Sequence, residues 1–197
     1  MKLFGLTGNI ASGKTAVARR LVALGAYVID ADDVSRELVL PGSPMLIDII
    51  QRFGPEFIYE DGTLNRRALA DSVFADAEAL RALNGITHHA VIARMHEVAQ
   101  AHASRYPQDV IFMDMALLIE VGEHTRMDKV WLVTAPEKVR IARIMERDGC
   151  SEHQARVRMD AQMPQEQKLC FADVIIDNCG SMDELYERVD ALYGALC

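Results

Sequence analysis

The sequence predicts an α/β fold in which a mostly parallel sheet is covered by helices on both faces. Short apolar segments typical of buried strands recur along the chain, and segments with helical spacing of apolar residues separate them. Several of those helical segments begin with Ser or Thr followed three residues later by Glu or Gln, a pattern typical of helix N-termini. The five predicted strands are KLFGLT (2–7), AYVID (26–30), DVIFMD (109–114), KVWLVTA (129–135) and ADVIID (172–177).

The predicted helices fill the intervals between the strands. KTAVARRLVALG places Val17, Leu21 and Leu24 at helical spacing, and Gly25 is a typical helix stop. ADDVSRELVL is predicted to be helical and to end near PGSP. Three later helices are predicted to begin at capping-box spacings, in which Ser or Thr precedes Glu or Gln by three residues: Thr134 with Glu137, Ser151 with Gln154, and Ser181 with Glu184.

One region breaks this alternation, because no strand is predicted between Pro41 and Tyr106. Its longer part, residues 61–103, has the pattern of a long helical stretch interrupted by turns. We expect this region to be a helical insertion at the C-terminal edge of the sheet. Trp131 lies in the fourth predicted strand and is expected to be buried.

The charge balance is acidic. The 197 residues include 21 Lys and Arg against 29 Asp and Glu, which gives a formal net charge of −8. This charge argues against general attraction to nucleic acid or to an anionic membrane, so an anionic ligand requires a locally positive site. No apolar stretch approaches the roughly 20 residues that span a bilayer, and the start of the chain lacks a signal-peptide pattern. We therefore expect a cytoplasmic protein. Its cysteines form no CxxC pair and are expected to be reduced thiols: Cys150, Cys170, Cys179 and Cys197.

Residues Gly8 to Thr15 satisfy the pattern GxxxxGK[ST] between a predicted strand and a predicted helix. A glycine-rich loop lets successive backbone N–H groups point into one concavity, and the helix that follows adds the partial positive charge of its N-terminus. Lys14 can reach the β- and γ-phosphates of a nucleotide, and the Thr15 hydroxyl can bind Mg²⁺. The motif therefore predicts binding of a nucleoside triphosphate, and it does not identify the group that receives the phosphate.

Acidic residues follow two of the predicted strands. Asp30, Asp32 and Asp33 follow the second strand, where a carboxylate can orient an acceptor hydroxyl and take its proton. Each of them can instead cap the next helix, although all three cannot be caps. Asp114 ends the third strand, either as a Walker B aspartate in the Mg²⁺ shell or as a turn residue, and Glu120 is a weaker candidate.

Three arginines, Arg140, Arg143 and Arg147, recur at spacings of three and four on one predicted helix. Such a basic face can act as a lid that clamps the charge of a phosphoryl group in transfer. It can also be a solvated surface paired with Glu137 and Glu146.

Taken in order, these motifs resemble those of the dephospho-CoA kinase family, and the resemblance runs nearly from end to end of the chain. Asp30 and Asp32 match the Asp-x-Asp of the family's second strand, Arg66 falls on the arginine of its inserted helical segment, and Asn178 falls on the asparagine after its final strand. The matching segments are GLTGNIASGKT, VIDADDVSRELVLPGSP, DGTLNRRALADSVF, LNGITHHAV, ALLIE, RIMERDGCSEHQARVRMDAQM and ADVIIDNCGS.

The resemblance implies a P-loop kinase fold (the P-loop NTPase class) with a five-stranded parallel core, a helical substrate subdomain and a helical lid. These parts would be residues 1–33, 107–135 and 172–197 for the core, about 34–106 for the subdomain and about 136–171 for the lid. The implied reaction is the Mg²⁺-dependent transfer of the γ-phosphoryl group of ATP to the ribose 3′-hydroxyl of dephospho-CoA. This reaction yields coenzyme A and ADP in the last step of coenzyme A synthesis. ATP and dephospho-CoA are therefore the expected partners, and nucleic acid and membranes are not.

The resemblance also assigns roles to residues. It implies that Asp32 is the general base, that Lys14 binds phosphate and that Arg143 lies near the phosphoryl group in transfer. The implied metal ligands are Thr15 and Asp114. The implied ATP-binding residues are Gly8, Ala11, Ser12, Gly13, Lys14, Thr15, Ala16, Arg147 and Asn178. The implied substrate-binding residues are Asp30, Asp32, Arg66, His88 and Asp114.

Two positions depart from the family pattern, since Ala116 and His89 stand where the family usually has proline. Proline shapes the backbone, so these changes bear on the form of the acceptor pocket and remove no charge or phosphate ligand. His88 and His89 are adjacent and lack further ligands at metal-binding spacing, so no zinc site is predicted.

The residues leave two other functions open. One is a P-loop kinase that acts on a nucleoside or a polyol, and the other is a nucleotide-dependent switch or binding module. The sequence has no guanine-reading Asn-Lys-x-Asp, which argues against a GTPase. Asp32 and Arg143 argue against a protein that only binds nucleotide. The sequence does not predict the oligomeric state or the order of substrate binding.

Overall fold

A computed structural model describes residues 1–74 and 76–196, and Cys197 lies outside the described residues. Within them the chain forms a five-stranded sheet in the order β2-β3-β1-β4-β5. Strand β1 pairs in parallel with β3 and with β4, and β4 pairs in parallel with β5, so the predicted α/β fold is confirmed. The strands are β1 (Lys2–Gly8), β2 (Tyr27–Asp30), β3 (Val110–Asp114), β4 (Lys129–Thr134) and β5 (Val174–Asp177).

Helices connect most of the consecutive strands, and the connection from β3 to β4 contains a 3₁₀ turn instead. Short 3₁₀ turns stand at Pro55–Phe57, Glu123–Arg126 and Leu169–Phe171. The helices are α1 (Lys14–Ala23), α2 (Ala31–Leu38), α3 (Pro44–Phe53), α4 (Arg66–Phe74), α5 (Ala77–Arg105), α6 (Glu137–Asp148), α7 (Glu152–Asp160), α8 (Gln165–Lys168) and α9 (Met182–Gly194). Of the helices in the described ranges, none has both the length and the apolar character needed to cross a bilayer.

Two of the three predicted capping boxes are confirmed. Ser151 caps α7 and Ser181 caps α9, each in a reciprocal exchange with the Gln or Glu three residues later. The predicted box of Thr134 with Glu137 is wrong. Thr134 is still the last residue of β4, and α6 begins after Pro136, whose ring cannot offer a capping oxygen.

The chain divides into two compact units. The first, which we call the sheet unit, comprises Met1–Ile29 and the chain from Ala101 onward. Its core contains an aromatic cluster, in which Phe112 meets Phe4 at 5.5 Å and Trp131 at 5.0 Å, both edge to face. Trp131 is 1% exposed, as predicted. Buried residues of α1 and α9 join the same core, among them Leu21 and Leu185.

The second unit, which we call the helical unit, comprises Asp30–Gln100. Its own apolar core is formed by Val39, Met45, Leu46, Ile49, Leu69 and Val73. Among its described residues the only strand-like pairing is an isolated antiparallel bridge between Ile58 and Leu64. The resemblance implies a helical subdomain of about 34–106. The helical unit begins and ends a few residues earlier in the chain than that range.

Candidate active site

The glycine motif forms a tight loop between β1 and α1. Gly13 adopts φ +98°, and a Cβ atom there would lie 2.0 Å from the side-chain nitrogen of Asn178. Only glycine meets both demands, because an L side chain rarely adopts that φ and would collide with the amide. Ala11 also has a positive φ, 61°, which is uncommon for a residue other than glycine. The loop therefore has one specific backbone shape.

Side chains from distant parts of the sheet unit hold this shape. Asn178, which is 3% exposed and follows β5, donates from Nδ2 to the Ser12 carbonyl at 2.8 Å. Arg143 of α6 donates to the carbonyls of Ala11 (3.2 Å) and Asn178 (3.3 Å). The structure thus brings together three elements that the sequence singled out separately: the glycine motif, the arginine helix and the final asparagine.

Lys14 begins α1 and donates from Nζ to the Asp114 carboxylate. Asp114 ends β3 beside Leu6 of β1, and it is 2% exposed. The parallel register of these two strands is what carries the carboxylate to the loop. Asp114 is therefore a buried carboxylate at the end of a strand, paired with Lys14.

The oxygen donors at this loop suit a hard cation. Mg²⁺ is bound in proteins by one or two carboxylates together with hydroxyl groups, waters and substrate phosphates. Thr15 is exposed at the first turn of α1, and Asp114, the partner of the neighbouring Lys14, supplies a buried carboxylate. Within the described residues, three buried side-chain oxygens around the loop also lack hydrogen-bond partners: Asn9 Oδ1, Ser12 Oγ and Asn178 Oδ1.

The three arginines of α6 have three different environments. Arg140 is 5% exposed and donates from Nε to the Ala135 carbonyl, and burial lowers the pKa of its guanidinium while Glu166 and Glu137 act in the opposite direction. Arg143 contacts the glycine loop, as described above. Arg147 is exposed and pairs with its neighbour Asp148 at 2.7 and 2.9 Å. The three therefore do not form one solvated face paired with Glu137 and Glu146.

Glu120, the weaker Walker B candidate, has a different setting from Asp114. Its Oε1 lies 2.8 Å from the Nζ of Lys168, a residue with no exposed surface. Lys168 has no signal in the local sequence, since nothing in the pattern around it distinguishes a buried lysine from a solvated one. The remaining loop residues of the predicted set are Gly8, which is buried, and Ala16, whose N–H bonds to the Gly13 carbonyl at 2.9 Å.

In the helical unit the three candidate aspartates are distinguished by their hydrogen bonds. Asp30 is the N-cap of α2, and its Oδ1 accepts from the Asp32 N–H at 2.7 Å. Asp33 pairs with Arg36 one turn later. Asp32 is exposed, and within the described residues no hydrogen bond or ion pair engages its carboxylate. Asp32 is thus the one of the three whose two carboxylate oxygens both lack a partner among the described residues.

Arg66 lies within electrostatic range of Asp32. Its partial burial and the neighbouring Arg36 lower the pKa of its guanidinium, and Asp32 acts in the opposite direction. One of its terminal nitrogens lies 3.4 Å from the Ser35 carbonyl. The side chain therefore keeps most of its donor capacity for other partners.

Arg66 also lines a cavity of about 270 Å³ inside the helical unit. The cavity wall is mostly apolar, with polar groups from Ser35, Asn84 and Thr87. Its apolar lining comes from Val39, Ile49, Leu64, Leu69, Ala70, Val73, Leu80 and Leu83. His88 is not part of this wall, and burial lowers the pKa of its imidazole, which favours the neutral form.

The two positions that depart from the family's prolines have separate settings. The Ala116 carbonyl accepts hydrogen bonds from Thr7 Oγ1 (3.2 Å) and Lys168 Nζ (2.9 Å). His89 is exposed on α5. Neither position disturbs the glycine loop, which keeps the contacts described above.

Comparison with known proteins relates this site to one enzyme family. The sequence model of the dephospho-CoA kinase family matches residues 2–184. A dephospho-CoA kinase of Geobacter metallireducens is 44% identical over 193 residues, which cover 98% of this chain and 96% of the relative.

Solved structures agree with the sequence comparison. A protein of Thermus thermophilus superposes with a TM-score of 0.81 at 34% identity, covering 100% of this chain and 98% of its own. The dephospho-CoA kinase of Campylobacter jejuni superposes with a TM-score of 0.67 at 25% identity, covering 99% of this chain and 97% of its own. Since the sequence match and the fold both extend over nearly the whole chain, this protein belongs to the dephospho-CoA kinase family.

Proposed function

We propose that this protein transfers the γ-phosphoryl group of ATP to the ribose 3′-hydroxyl of dephospho-CoA, giving coenzyme A and ADP in the last step of coenzyme A synthesis. The observation that carries the proposal is the Gly8–Thr15 loop with Lys14 directed at Asp114, in a chain that matches this family over residues 2–184. The reaction forms a bond between the acceptor oxygen and the γ-phosphorus. It breaks the bond from that phosphorus to the bridging oxygen of ADP.

The glycine loop is proposed to bind the ATP phosphates. Its backbone N–H groups and the N-terminus of α1 favour an anion, and Lys14 would exchange its Asp114 partner for phosphate oxygens. The proposed ATP-binding set is the one that the sequence predicts: Gly8, Ala11, Ser12, Gly13, Lys14, Thr15, Ala16, Arg147 and Asn178. Asn178 supports the loop through Ser12, and we propose that its own loop also borders the adenine.

Thr15 and Asp114 would hold Mg²⁺. When bound, the ion neutralises charge that builds up on the β- and γ-phosphates during transfer. Asp114 has a second proposed part, since release of Lys14 from the carboxylate frees the ammonium group for the nucleotide. The Thr15 hydroxyl is exposed and would supply the other protein ligand.

Asp32 is proposed to be the general base. Its carboxylate would accept the proton of the 3′-hydroxyl as the new oxygen–phosphorus bond forms. Asp30 supports this role by capping α2 and holding the Asp32 backbone, and Asp33 is engaged by Arg36. The choice of Asp32 rests on the family resemblance, and it is supported by a carboxylate that no described hydrogen bond or ion pair engages.

The acceptor is proposed to bind in the helical unit. Dephospho-CoA carries a diphosphate, which suits the Arg66 guanidinium, and a long arm with apolar and amide groups, which suits a cavity lined by aliphatic side chains with Asn84 and Thr87. His88 and Asp114 belong to the proposed substrate-binding set on the family resemblance alone.

The segment 136–171 is proposed to act as a lid. Arg143 would stabilise the phosphoryl group in transfer, and closure would exclude water that otherwise hydrolyses ATP. We propose a cytoplasmic enzyme whose partners are ATP and dephospho-CoA, with no role for nucleic acid or membranes.

The test measures ADP release from MgATP with dephospho-CoA, adenosine and shikimate as separate acceptors. We expect release that depends on dephospho-CoA, with a product that carries one added phosphate on the ribose. Turnover with a different acceptor would keep the phosphate-binding roles and refute the acceptor assignment. Tight ATP binding with no stimulation by any acceptor would favour a nucleotide-binding module instead.

A further inference from the structure

Lys168 is the most unusual charged residue of the sheet unit, because its side chain is 0% exposed at the end of α8. Lysine is almost never fully buried unless it is paired. Its Nζ donates to the Ala116 carbonyl at 2.9 Å and contacts Glu120 Oε1 at 2.8 Å. The ammonium group therefore ties α8 to the stretch of chain that follows β3.

Glu120 extends this connection to the chain before α8. The same oxygen that faces Lys168 accepts a hydrogen bond from the Met163 N–H at 3.3 Å. The carboxylate is mostly buried, with 20% of its side chain exposed. Without Lys168 this carboxylate would lose the ammonium group that pairs with it in a poorly solvated place.

Met163 and its neighbour Gln162 contact the glycine loop. Asn9 donates from Nδ2 to the Met163 carbonyl at 2.8 Å, and the Ile10 N–H donates to Gln162 Oε1 at 2.8 Å. Asn9 and Ile10 are the second and third residues of the motif that begins at Gly8. A continuous set of contacts thus runs from Lys168 through Glu120 and Met163 to Asn9, and we call it the Lys168 network.

We propose that Lys168 is a positioning residue for ATP, which acts on the phosphate-binding loop through Glu120 and residues 162–163. The ammonium group itself has no exposed surface and so does not contact substrate. Its effect would come from fixing the two residues that hold the first half of the loop. A loop displaced by about 1 Å can lower catalysis by about a hundredfold, so loosening this support should be measurable.

The test compares Lys168→Met with Lys138→Met. Lys138 is an exposed lysine of α6, so the control removes the same charge from the same segment without touching the network. For Lys168→Met we expect the Kd for MgADP to rise about tenfold or more, with a parallel rise in the KM for MgATP. The KM for dephospho-CoA should change by less than about twofold. We also expect Tm to fall, because a buried charge loses its partner.

A purely stabilising role predicts a different result. If Tm falls while the Kd for MgADP and the KM for MgATP stay at the values of the Lys138→Met control, the proposal is overturned. Adding Glu120→Gln to Lys168→Met removes the unpaired carboxylate and keeps an acceptor for the Met163 N–H. We expect this double variant to regain part of both Tm and MgADP affinity, and recovery of neither would refute the route through Glu120.

If Lys168→Met does not fold, Gln162→Ala tests the same route nearer the loop, since it removes the acceptor of the Ile10 N–H. We expect MgADP affinity to fall about threefold or more, and unchanged affinity would contradict the proposal. The inference rests on the proposed function only in that the loop binds ATP. MgADP binding is measured without any acceptor. A wrong role for the Lys168 network would therefore appear in the Kd for MgADP, and a wrong acceptor would appear only in turnover with dephospho-CoA.

Discussion

The glycine loop of the sheet unit is a polar site built from backbone, whereas the cavity of the helical unit is an apolar site built from side chains. The loop is contiguous in sequence, from Gly8 to Thr15, and its shape depends on Gly13 and on hydrogen bonds from Asn178 and Arg143. The cavity is lined by residues drawn from positions 35–87, and its wall is mostly aliphatic.

The contrast between loop and cavity indicates different roles for the two parts in the proposed reaction. Backbone N–H groups bind any phosphate chain of the right shape, so in the proposed reaction the loop would supply affinity with little selectivity. An aliphatic cavity with a few polar groups selects by shape and by the positions of those groups. We infer that phosphate binding depends on the loop and that choice of acceptor depends on the cavity and on Arg66.

We expect the greatest loss of activity from a variant that lowers kcat and leaves ATP binding nearly unchanged. Asp32→Asn should lower kcat by about a hundredfold to ten-thousandfold, because the amide cannot accept the hydroxyl proton, with little change in the KM for ATP. Steady-state kinetics with dephospho-CoA measures both constants. Asp33→Asn is the matched control, since Asp33 is already paired with Arg36 and should keep near-normal turnover. Normal turnover with weakened ATP binding in Asp32→Asn would disprove the role as base.

The second prediction concerns a substitution that changes the glycine loop and leaves the cavity of the helical unit unchanged. Gly13→Ala should weaken MgADP binding by about a hundredfold, because the new Cβ meets Asn178 and the backbone must leave φ +98°. Calorimetric titration measures this loss. Gly25→Ala is the control, since Gly25 has a similar φ of +93° and no atom lies within 4 Å of the added Cβ. It should lower the free energy of unfolding by about 1 kcal/mol and leave MgADP binding intact. Equal affinity in the two variants would show that the Asn178 contact is unimportant.

The third prediction concerns a substitution that narrows the cavity of the helical unit and leaves the glycine loop unchanged. Ala70→Leu places three more carbon atoms in the cavity wall of the helical unit and should raise the KM for dephospho-CoA about tenfold. The KM for ATP should not change, because the loop keeps its contacts. Ala93→Leu is the control, since Ala93 is exposed on α5 and does not line the cavity. An unchanged KM for dephospho-CoA in Ala70→Leu would mean that the cavity does not bind the acceptor.

The smallest change is expected for Arg147 of α6, and a comparison with Arg143 tests whether the two arginines have different roles. Arg147→Ala should raise the KM for ATP only about twofold to threefold, because this side chain is exposed and already paired with Asp148. Arg143→Ala, measured in the same kinetic series, should lower kcat about a hundredfold, since it removes a loop contact and the charge proposed to stabilise the phosphoryl group. Similar losses in both variants would indicate that the two arginines share one role.

Several parts of this protein were determined by local sequence. The glycine loop, the five strands and the caps at Ser151 and Ser181 were all predicted, because each depends on residues within one turn or one strand. The cap predicted at Thr134 failed for the same kind of reason. The spacing was right, but β4 continues through Thr134 and a proline sets the start of α6.

Other parts were decided only by the tertiary structure. Sequence spacing alone left three aspartates and three arginines open, and the family resemblance pointed to Asp32 and Arg143. The structure shows their different contacts: Asp30 caps α2, Asp33 pairs with Arg36, and Arg143 contacts the glycine loop. Lys168 and the cavity had no local signal at all. The physical reason is that burial and pairing depend on atoms far apart in the chain, such as those of Ala116 and Lys168, which are 52 positions apart. Backbone conformation depends mainly on near neighbours.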